Sequence, residues 1–285
     1  DEKIYQNRCY NGFGKPDASQ ELVEGPNIKP WPKMTALTDD VMLKVVSEIH
    51  DPVTTTDELI PSGETSSFRS NPLGLAEFTL SRRDPAYVGN AKEVQVVEYA
   101  RQAGTSPMTD AGFAAAYEAL KAAGLSVDPE GTAIGSTIYA VKPGDGSARE
   151  QAASCQKVLG GYANICYEYA TKRYRSNCIN WGILPFTLPE GADFPYSEGD
   201  YVFVPNVREG IMNGSVRRLE NIAGYAPDSQ CSLRALDLQR VNSAELRNVQ
   251  LHAFGTATLT FADWDNIISC DCLLSKGNNM MKDYS

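Results

Sequence analysis

The chain has 285 residues, 42% of them hydrophobic and 9% aromatic, which is enough to bury the core of one large domain or two small ones. Its formal net charge of −10 argues against nucleic acid or an anionic membrane as a partner, because both bind basic surfaces. No apolar stretch approaches the roughly 18–20 residues of a membrane span. We therefore expect neither nucleic acid nor a membrane among its partners. The chain begins at Asp1 without Met, and we expect it to be processed or cut from a longer protein.

The seven cysteines are scattered along the chain and show no Cys-x-x-Cys spacing. Several lie inside predicted helices or strands, where a free cysteine behaves as a small buried hydrophobic residue, and this usage is typical of the reducing cytoplasm. Cys270 and Cys272 lie on a predicted helix, where residues i and i+2 do not face each other, so we interpret them as core thiols. His50 and His252 are the only histidines, which excludes a histidine-rich metal site. The sequence thus predicts a cytoplasmic protein with no metal ligands in this chain.

The first part of the chain changes from irregular to regular structure. Residues 1–37 predict a linker or a wrapping arm, because prolines interrupt any long element. A first strand is predicted over 41–49. The polar loop 54–72 that follows is long and carries an acid, Asp57, and a base, Arg69. Taken alone, these two residues are explained more simply as a helix N-cap and a solvated surface charge.

Helical patterns follow in residues 73–124. A short helical stretch is predicted near 94–103, within an otherwise irregular region. A clear helix is predicted from Thr109, its N-cap, to Gly124, its stop.

The most informative stretch is a glycine turn after a buried strand predicted over 132–142. Two glycines flank Asp145, and Ser147 opens a helix that runs to about Leu159. Ser147 and Glu150 form the Ser-x-x-Glu signature of a capping box, so the local sequence favours a capping serine over a catalytic one. The pattern lacks the Gly-Lys-Ser/Thr of a Walker loop and the Gly-x-Ser-x-Gly of a nucleophile elbow.

The remaining chain alternates strands and helices. A strand over 162–168 precedes a helix over 171–181 that ends at Gly182, and this alternation predicts βαβ units in a partly parallel sheet. The later elements are strands over 201–204, 249–253 and 257–261 and a final helix after Asp263. The sequence predicts one α/β domain with a mixed β-sheet or partial barrel flanked by helices.

Three motifs, in matching order and spacing, resemble those of the aconitase family. Residues 144–153 (Gly-Asp-Gly-Ser-Ala-Arg-Glu-Gln-Ala-Ala) resemble its Gly-x-Gly-Ser-Ser-Arg-Glu-His-Ala-Ala motif. Residues 177–186 (Asn-Cys-Ile-Asn-Trp-Gly-Ile-Leu-Pro-Phe) are similar to its Asn-x-x-x-x-Gly-Leu-Leu-Pro motif, and especially to the Asn-Cys-x-x-x-Gly of isopropylmalate isomerase small subunits. Residues 55–59 (Thr-Thr-Asp-Glu-Leu) resemble its Thr-Thr-Asp-His-Ile, and Phe68 with Arg69 follows at the family's spacing.

This resemblance implies a domain type, a cofactor and partners for the chain. Residues 38–285 correspond to the C-terminal swivel domain of the family, of β/β/α type, and residues 1–37 to the linker that joins it to the larger body. A 4Fe–4S cluster is implied in the full-length enzyme, ligated by domains that this chain lacks, so none is expected to be bound by this chain. The expected partners are a small hydroxy-acid substrate and either the remaining aconitase domains of the same polypeptide or a large subunit.

The resemblance also implies residue roles in the dehydration and rehydration of a hydroxy di- or tricarboxylic acid. Ser147 corresponds to the serine that acts, as its alkoxide, as the catalytic base, and Asp57 to an active-site aspartate. Arg69 and Arg149 correspond to arginines that bind substrate carboxylates, a role that suits the planar guanidinium fork. Ala148 occupies the substrate-binding position of the family's second serine.

Three departures from the family pattern bear on the substrate. Ala148 replaces a serine, and Gln151 and Glu58 each replace a histidine, so citrate is not assumed. Three interpretations stay open: the swivel domain of an aconitase-like hydro-lyase, the small subunit of a two-chain isomerase of the isopropylmalate type, and a non-catalytic module that kept the fold. We expect the chain alone to be inactive, because the cluster ligands and most of the substrate pocket lie elsewhere.

Overall fold

The structure of the protein is a computed structural model that describes residues 2–3, 18–19, 21, 23–188, 194, 196–213, 218–219, 223–225, 234–235 and 238–240. Its strands are β1 (Val41–Ile49), β2 (Thr54–Thr55), β3 (Ala133–Ala140), β4 (Pro143–Asp145), β5 (Gly161–Cys166), β6 (Leu184–Thr187), β7 (Tyr201–Val204), β8 (Arg218–Leu219), β9 (Ala223–Tyr225), β10 (Arg234–Ala235) and β11 (Leu238–Arg240). Its helices are α1 (Thr56–Leu59), α2 (Pro72–Ala76), α3 (Tyr87–Gln102), α4 (Ala111–Ala122), α5 (Arg149–Val158), α6 (Lys172–Asn180) and α7 (Val207–Asn213). The strands predicted over 249–253 and 257–261, the helix after Asp263, and Cys270 and Cys272 lie outside the described residues.

A mixed sheet forms the centre of the domain. β1 pairs with β3, β3 with β5 and β5 with β6, all in parallel, while β7 runs antiparallel to β1 on its other side. Short strands extend the sheet at both ends, in the order β10-β9-β7-β1-β3-β5-β6-β11-β8. This arrangement confirms the predicted α/β class with a mixed sheet and βαβ units.

Both faces of the central sheet are buried, as is usual for parallel strands. Every residue of β3 and of β5 is buried. Side chains of β1 alternate between two hydrophobic clusters: Val41, Leu43 and Val45 belong to one, and Met42 and Val46 to the other. Helices α2 to α6 contribute mainly to the cluster of Met42, and α7 to the cluster of Val41. None of the described helices has the length and apolar character needed to cross a bilayer.

The predicted bounds of the elements agree with the structure to within a few residues in most cases, and those of β1 and β7 agree fully. The predicted cap of α4 is wrong, because Asp110 rather than Thr109 caps this helix. The Asp110 carboxylate accepts two hydrogen bonds of 3.0 Å from N–H groups of the first turn. The Thr109 hydroxyl instead donates a hydrogen bond of 2.8 Å to the carbonyl of Ser106. A carboxylate also interacts more favourably than a hydroxyl with the N-terminal end of the helix dipole.

Helix α3 begins at Tyr87, so it is longer than the sequence predicts, and its buried face includes a charged residue. Glu98 is only 2% exposed and interrupts the apolar pattern. Its carboxylate accepts hydrogen bonds of 2.6 and 2.8 Å from Arg101 and one of 2.9 Å from the N–H of Ile134 in β3. This buried ion pair therefore ties α3 to the centre of the sheet.

Loss of the Glu98 carboxylate is expected to destabilise the domain strongly. Glu98→Ala leaves the Nε and Nη2 groups of Arg101 and the N–H of Ile134 without their acceptor, so the free energy of unfolding should fall by about 3–5 kcal/mol. Glu93→Ala, at an exposed position of the same helix, should change it by less than about 0.5 kcal/mol. Denaturant titrations measure both variants. Equal effects at the two positions would show that the buried pair does not support the fold.

A buried lysine joins the end of α5 to the end of α6. The Lys157 ammonium donates a hydrogen bond of 3.1 Å to the carbonyl of Gly182 and lies 4.6 Å from the centre of the Tyr162 ring. Burial lowers the pKa of Lys157 to about 8, because desolvation disfavours the charged form. A lysine in the unfolded chain titrates near 10.4, at about its ordinary pKa.

This lowered pKa predicts a pH-dependent contribution of Lys157 to stability. Between about pH 8 and about pH 10 the unfolded state binds more protons at this residue than the folded state, so its contribution to stability rises with pH. Below about pH 8 the residue is charged in both states, and its contribution is constant. The unfolding free energy of the wild type should therefore increase relative to that of Lys157→Met in titrations repeated between these limits. A difference that does not change with pH would contradict the lowered pKa.

Candidate functional site

Two of the motifs singled out in the sequence meet at a short parallel pairing of β2 with β4. In the register of this pairing Thr54 lies opposite Pro143, and Thr55 lies opposite Asp145. The register shifts between these two pairs, which leaves Gly144 as an extra residue on β4. The Thr-Thr-Asp motif therefore lies directly beside the glycine turn.

The glycines of this turn are required both by the backbone and by their neighbours. Gly144 has a φ of 98° and Gly146 a φ of 133°, values that side-chain-bearing residues rarely adopt. A Cβ atom on Gly144 would overlap the ring of Tyr174, and one on Gly146 would overlap the hydroxyl of Thr56. The turn is thus enclosed by α6 on one side and by the start of α1 on the other.

Ser147 lies outside α5 and does not cap it, so the predicted capping box is wrong. The helix begins at Arg149 with Ala148 as its N-cap residue, and no side chain of the described residues bonds to the N–H groups of its first turn. The carboxylate of Glu150 accepts a hydrogen bond of 2.8 Å from the indole N–H of Trp181 instead. Within the described part of the chain, the first N–H groups of α5 therefore have no side-chain acceptor.

The geometry of the turn explains the position of Ser147. β4 holds the backbone extended up to Asp145, and Gly146 then turns it, so the helical conformation begins only after Ala148. Ser147 is exposed, and its hydroxyl forms no hydrogen bond within the part of the chain that the structure describes. The serine is therefore presented to solvent rather than used in the fold.

Asp57 lies in the first turn of α1 and is not its N-cap. Thr55 caps this helix: its hydroxyl accepts a hydrogen bond of 3.2 Å from the N–H of Glu58, whose carboxylate accepts one of 2.7 Å from the N–H of Thr55. This capping box gives Glu58 a structural role. The Asp57 carboxylate contacts Arg82 at 2.9 Å through one oxygen and the N–H of Ser62 at 3.2 Å through the other.

The contact of Asp57 with Arg82 was not foreseen from the sequence. The guanidinium of Arg82 also contacts the carboxylate of Glu64 at 2.6 Å, and the three side chains are between 49% and 60% exposed. Hydrogen bonding to Glu64, followed by its charge, raises the pKa of Arg82. The neighbouring Arg83 pairs with Asp51 instead. Arg82 and Asp57 are 25 residues apart, and an exposed pair of this kind leaves no periodic pattern that sequence analysis could use.

Arg69 lies beside α5, the helix that follows the glycine turn. It is exposed, follows a 3₁₀ turn (Ser66–Phe68) and lines a cavity of about 70 Å³, which has room for a few water molecules or one small group. Trp31 of the N-terminal arm also lines this cavity, and its ring centre lies 4.5 Å from that of Trp181. The α5 residues that line the cavity are Glu150, Gln151, Ser154, Cys155 and Val158.

Arg149 is half-buried at the start of α5. Its Nε atom is buried and has no hydrogen-bond partner among the described residues. A buried donor without a partner is unfavourable, so an acceptor that reached this atom would be stabilised. Ala148, the preceding residue, is partly buried and packs against the cluster of Met42.

The structure places the five candidate residues on three segments: Asp57 follows β2, Arg69 follows the 3₁₀ turn, and Ser147 to Arg149 join β4 to α5. The segment that carries Asp57 adjoins the turn of Ser147 through the β2–β4 pairing. Arg69 adjoins the helix that Arg149 begins, and Ala148 lies between the serine and that helix. In this structure the carboxylate of Asp57 contacts Arg82 and Ser62, as described above, rather than the serine hydroxyl.

The residues that the structure describes do not fit an iron–sulfur cluster. Among them, no three His, Cys, Asp or Glu side chains converge. Cys155, Cys166 and Cys178 are free and buried, as the sequence predicts for core thiols. Burial raises the pKa of Cys155 and of Cys178 to about 12, because desolvation disfavours the thiolate.

Comparison with known proteins supports a relationship over part of the chain. No protein-family profile matches the chain. The 3-isopropylmalate dehydratase small subunit of Metallosphaera sedula is 44% identical to it over 87 residues, which are 30% of this chain and 52% of that subunit, so the chain spans about half the length of this curated relative. The crystal structure of 3-isopropylmalate dehydratase from Methanocaldococcus jannaschii has a TM-score of 0.40 and 14% identity, covering 87% of this chain and 100% of its own. The sequence match confirms a resemblance to the small subunit of 3-isopropylmalate dehydratase, with homology over the 87 matched residues.

Proposed function

We propose that this chain supplies the swivel domain of a hydro-lyase that dehydrates and rehydrates a hydroxy di- or tricarboxylic acid. The observation that carries the proposal is the turn before α5. It presents the exposed hydroxyl of Ser147 at a helix start that no side chain of the described residues caps. The sequence relationship to a 3-isopropylmalate dehydratase small subunit supports the same class of reaction.

Ser147 is the catalytic base in this proposal. The serine alkoxide takes a proton from the substrate carbon next to the one that bears the hydroxyl group; the hydroxyl then leaves with its bonding electrons, and a carbon–carbon double bond forms. An alkoxide requires nearby positive charge, which the free N–H groups of α5 and the guanidinium of Arg149 supply. Asp57 is the second catalytic group, held beside the turn by the β2–β4 pairing.

Arg69 and Arg149 bind the substrate carboxylates. A guanidinium can pair with a carboxylate through two parallel hydrogen bonds, which fixes the orientation of the substrate as well as its position. Arg69 is exposed at the cavity beside α5, and the Nε of Arg149 has an unused hydrogen-bonding capacity. Ala148 contributes no hydroxyl at this site, and Gln151 lines the cavity where the family has a histidine, so the acid bound here is not assigned to citrate.

The remainder of the enzyme is proposed to supply the 4Fe–4S cluster. The described residues provide no donor set for it. The cluster belongs either to a large subunit, as a relationship to a small subunit favours, or to further domains of the same polypeptide joined through residues 1–37. Free buried thiols are consistent with a cytoplasmic enzyme.

Removal of the Ser147 hydroxyl is expected to abolish most of the turnover without affecting the fold. Ser147→Ala should lower kcat by about 10²- to 10⁴-fold and change KM little, because both arginines remain. The thermal midpoint should not change, because Ser147 caps no helix. The assay is dehydration of 3-isopropylmalate and of a panel of other hydroxy di- and tricarboxylic acids by the complete enzyme. Ser126→Ala, at an exposed serine after α4, is the matched control.

Two outcomes would contradict this proposal. Near-normal kcat in Ser147→Ala would exclude the serine as the base. A complete enzyme that turns over none of these acids would instead favour the non-catalytic module.

Arg82 is expected to affect activity through Asp57. Arg82→Ala frees the Asp57 carboxylate to rotate, and kcat should fall by about 10- to 100-fold, as small displacements of reacting groups do. Arg83→Ala removes the adjacent arginine, which pairs with Asp51, and should leave kcat unchanged. Exposed ion pairs contribute little to stability, so neither variant should shift the thermal midpoint measurably. Equal kcat values for the two variants would show that the Arg82 contact does not serve the reaction.

A further inference from the structure

The segment between β5 and α6 lies beneath the glycine turn and is bonded to it. The N–H of Ala170 donates a hydrogen bond of 2.9 Å to the carbonyl of Pro143, and the hydroxyl of Thr171 donates one of 3.0 Å to the carbonyl of Gly144. The ring of Tyr174 fills the space where Gly144 lacks a side chain. Two consecutive carbonyl groups of the turn therefore accept hydrogen bonds from this segment.

Thr171 connects this turn to a helix through a single hydroxyl group. While it donates to the carbonyl of Gly144, its oxygen accepts a hydrogen bond of 3.1 Å from the N–H of Tyr174, which makes it the N-cap of α6. A hydroxyl has one donor and two acceptor sites, so both bonds form at the same time. The start of α6 and the turn before α5 are thus joined by one oxygen atom.

The ring below Gly144 is itself held rigidly. Tyr174 is fully buried, and its phenol oxygen accepts hydrogen bonds of 3.0 Å from Gln156 and 3.2 Å from Asn164. Burial raises the pKa of Tyr174 well above its ordinary value, so the phenol stays neutral. Gln156 lies near the C-terminal end of α5, the helix that follows Ser147. Its hydrogen bond therefore joins the ring beneath Gly144 to that helix.

We propose that Thr171 is a positioning residue for the reaction: through the carbonyl of Gly144 it sets where the turn holds the hydroxyl of Ser147. This inference rests on the proposed function of Ser147 as the base. The upper side of the turn is open to solvent, whereas its lower side is fixed by Thr171 and Tyr174. Loss of the Thr171 donor allows the turn to shift while α6 and the core stay in place.

Three substitutions of Thr171 separate positioning from helix capping. Serine keeps both hydrogen bonds. Valine has a similar shape and loses both. Aspartate keeps an acceptor for the N–H of Tyr174, and is a good N-cap, but its carboxylate has no proton to donate to Gly144. Thr109→Val removes another threonine hydroxyl that donates to a carbonyl, at 2.8 Å, away from the site, and serves as the control.

The measurements are kcat, KM and the thermal midpoint of the complete enzyme with 3-isopropylmalate and the panel of hydroxy acids. Thr171→Val and Thr171→Asp should lower kcat by about 10- to 100-fold, whereas Thr171→Ser and Thr109→Val should keep the wild-type kcat. The thermal midpoint should fall for Thr171→Val and not for Thr171→Asp. Wild-type kcat in Thr171→Asp would overturn the proposal, because the hydroxyl would then act only as a cap.

Ser147→Ala, assayed in parallel, distinguishes failure of this inference from failure of the proposed function. If Ser147→Ala keeps its turnover, the serine is not the base and the proposed function fails. If Ser147→Ala loses turnover while Thr171→Asp keeps it, the base stands and only the positioning role is wrong.

Discussion

The parallel pairing of β2 with β4 is the constraint on which the candidate site depends. The two strands have two and three residues, which is too few for a stable pairing in isolation. The pairing is supported from both ends: β4 follows almost directly from the buried strand β3, and β2 leads into α1 with its capping box at Thr55 and Glu58. Two sequence motifs almost 90 residues apart are held together by this short contact.

Close approach of side chains to backbone stabilises the same turn. Gly144 and Gly146 allow Tyr174 and Thr56 to occupy space that any other residue would fill. The lower side of the turn is therefore packed and hydrogen-bonded, while its upper side carries an exposed serine. This asymmetry is what a reactive group requires, because its position is determined by the core and its hydroxyl stays accessible.

The candidate site carries charges of both signs, although the chain has a net charge of −10. Arg69 and Arg149 are accompanied in the same segments by Asp57, Asp145 and Glu150. Arg149 has a buried donor without a partner among the described residues, and Arg69 lies at the edge of a small cavity. Arg82 is already engaged by two carboxylates, so it suits the orientation of Asp57 better than the binding of substrate. Existing contacts, rather than overall charge, thus distinguish Arg82 from Arg69 and Arg149 among the described residues.

The sequence by itself determined the α/β class, the order of the elements over the described part, and the turn with its serine, because hydrophobic periodicity, glycines and motif spacing are local properties of the chain. It failed where contacts between distant residues compete with local preference. The Ser-x-x-Glu pattern predicted a cap at Ser147, but pairing of β4 with β2 delays the helix to Arg149, and the hydroxyl forms no hydrogen bond with the described residues. Buried Glu98 is tolerated in α3 because Arg101 and the N–H of Ile134 compensate its charge, and no local pattern encodes those partners. Tertiary structure alone decided the contacts of Asp57 and Thr171, since each joins side chains to segments that are neighbours only in the folded chain.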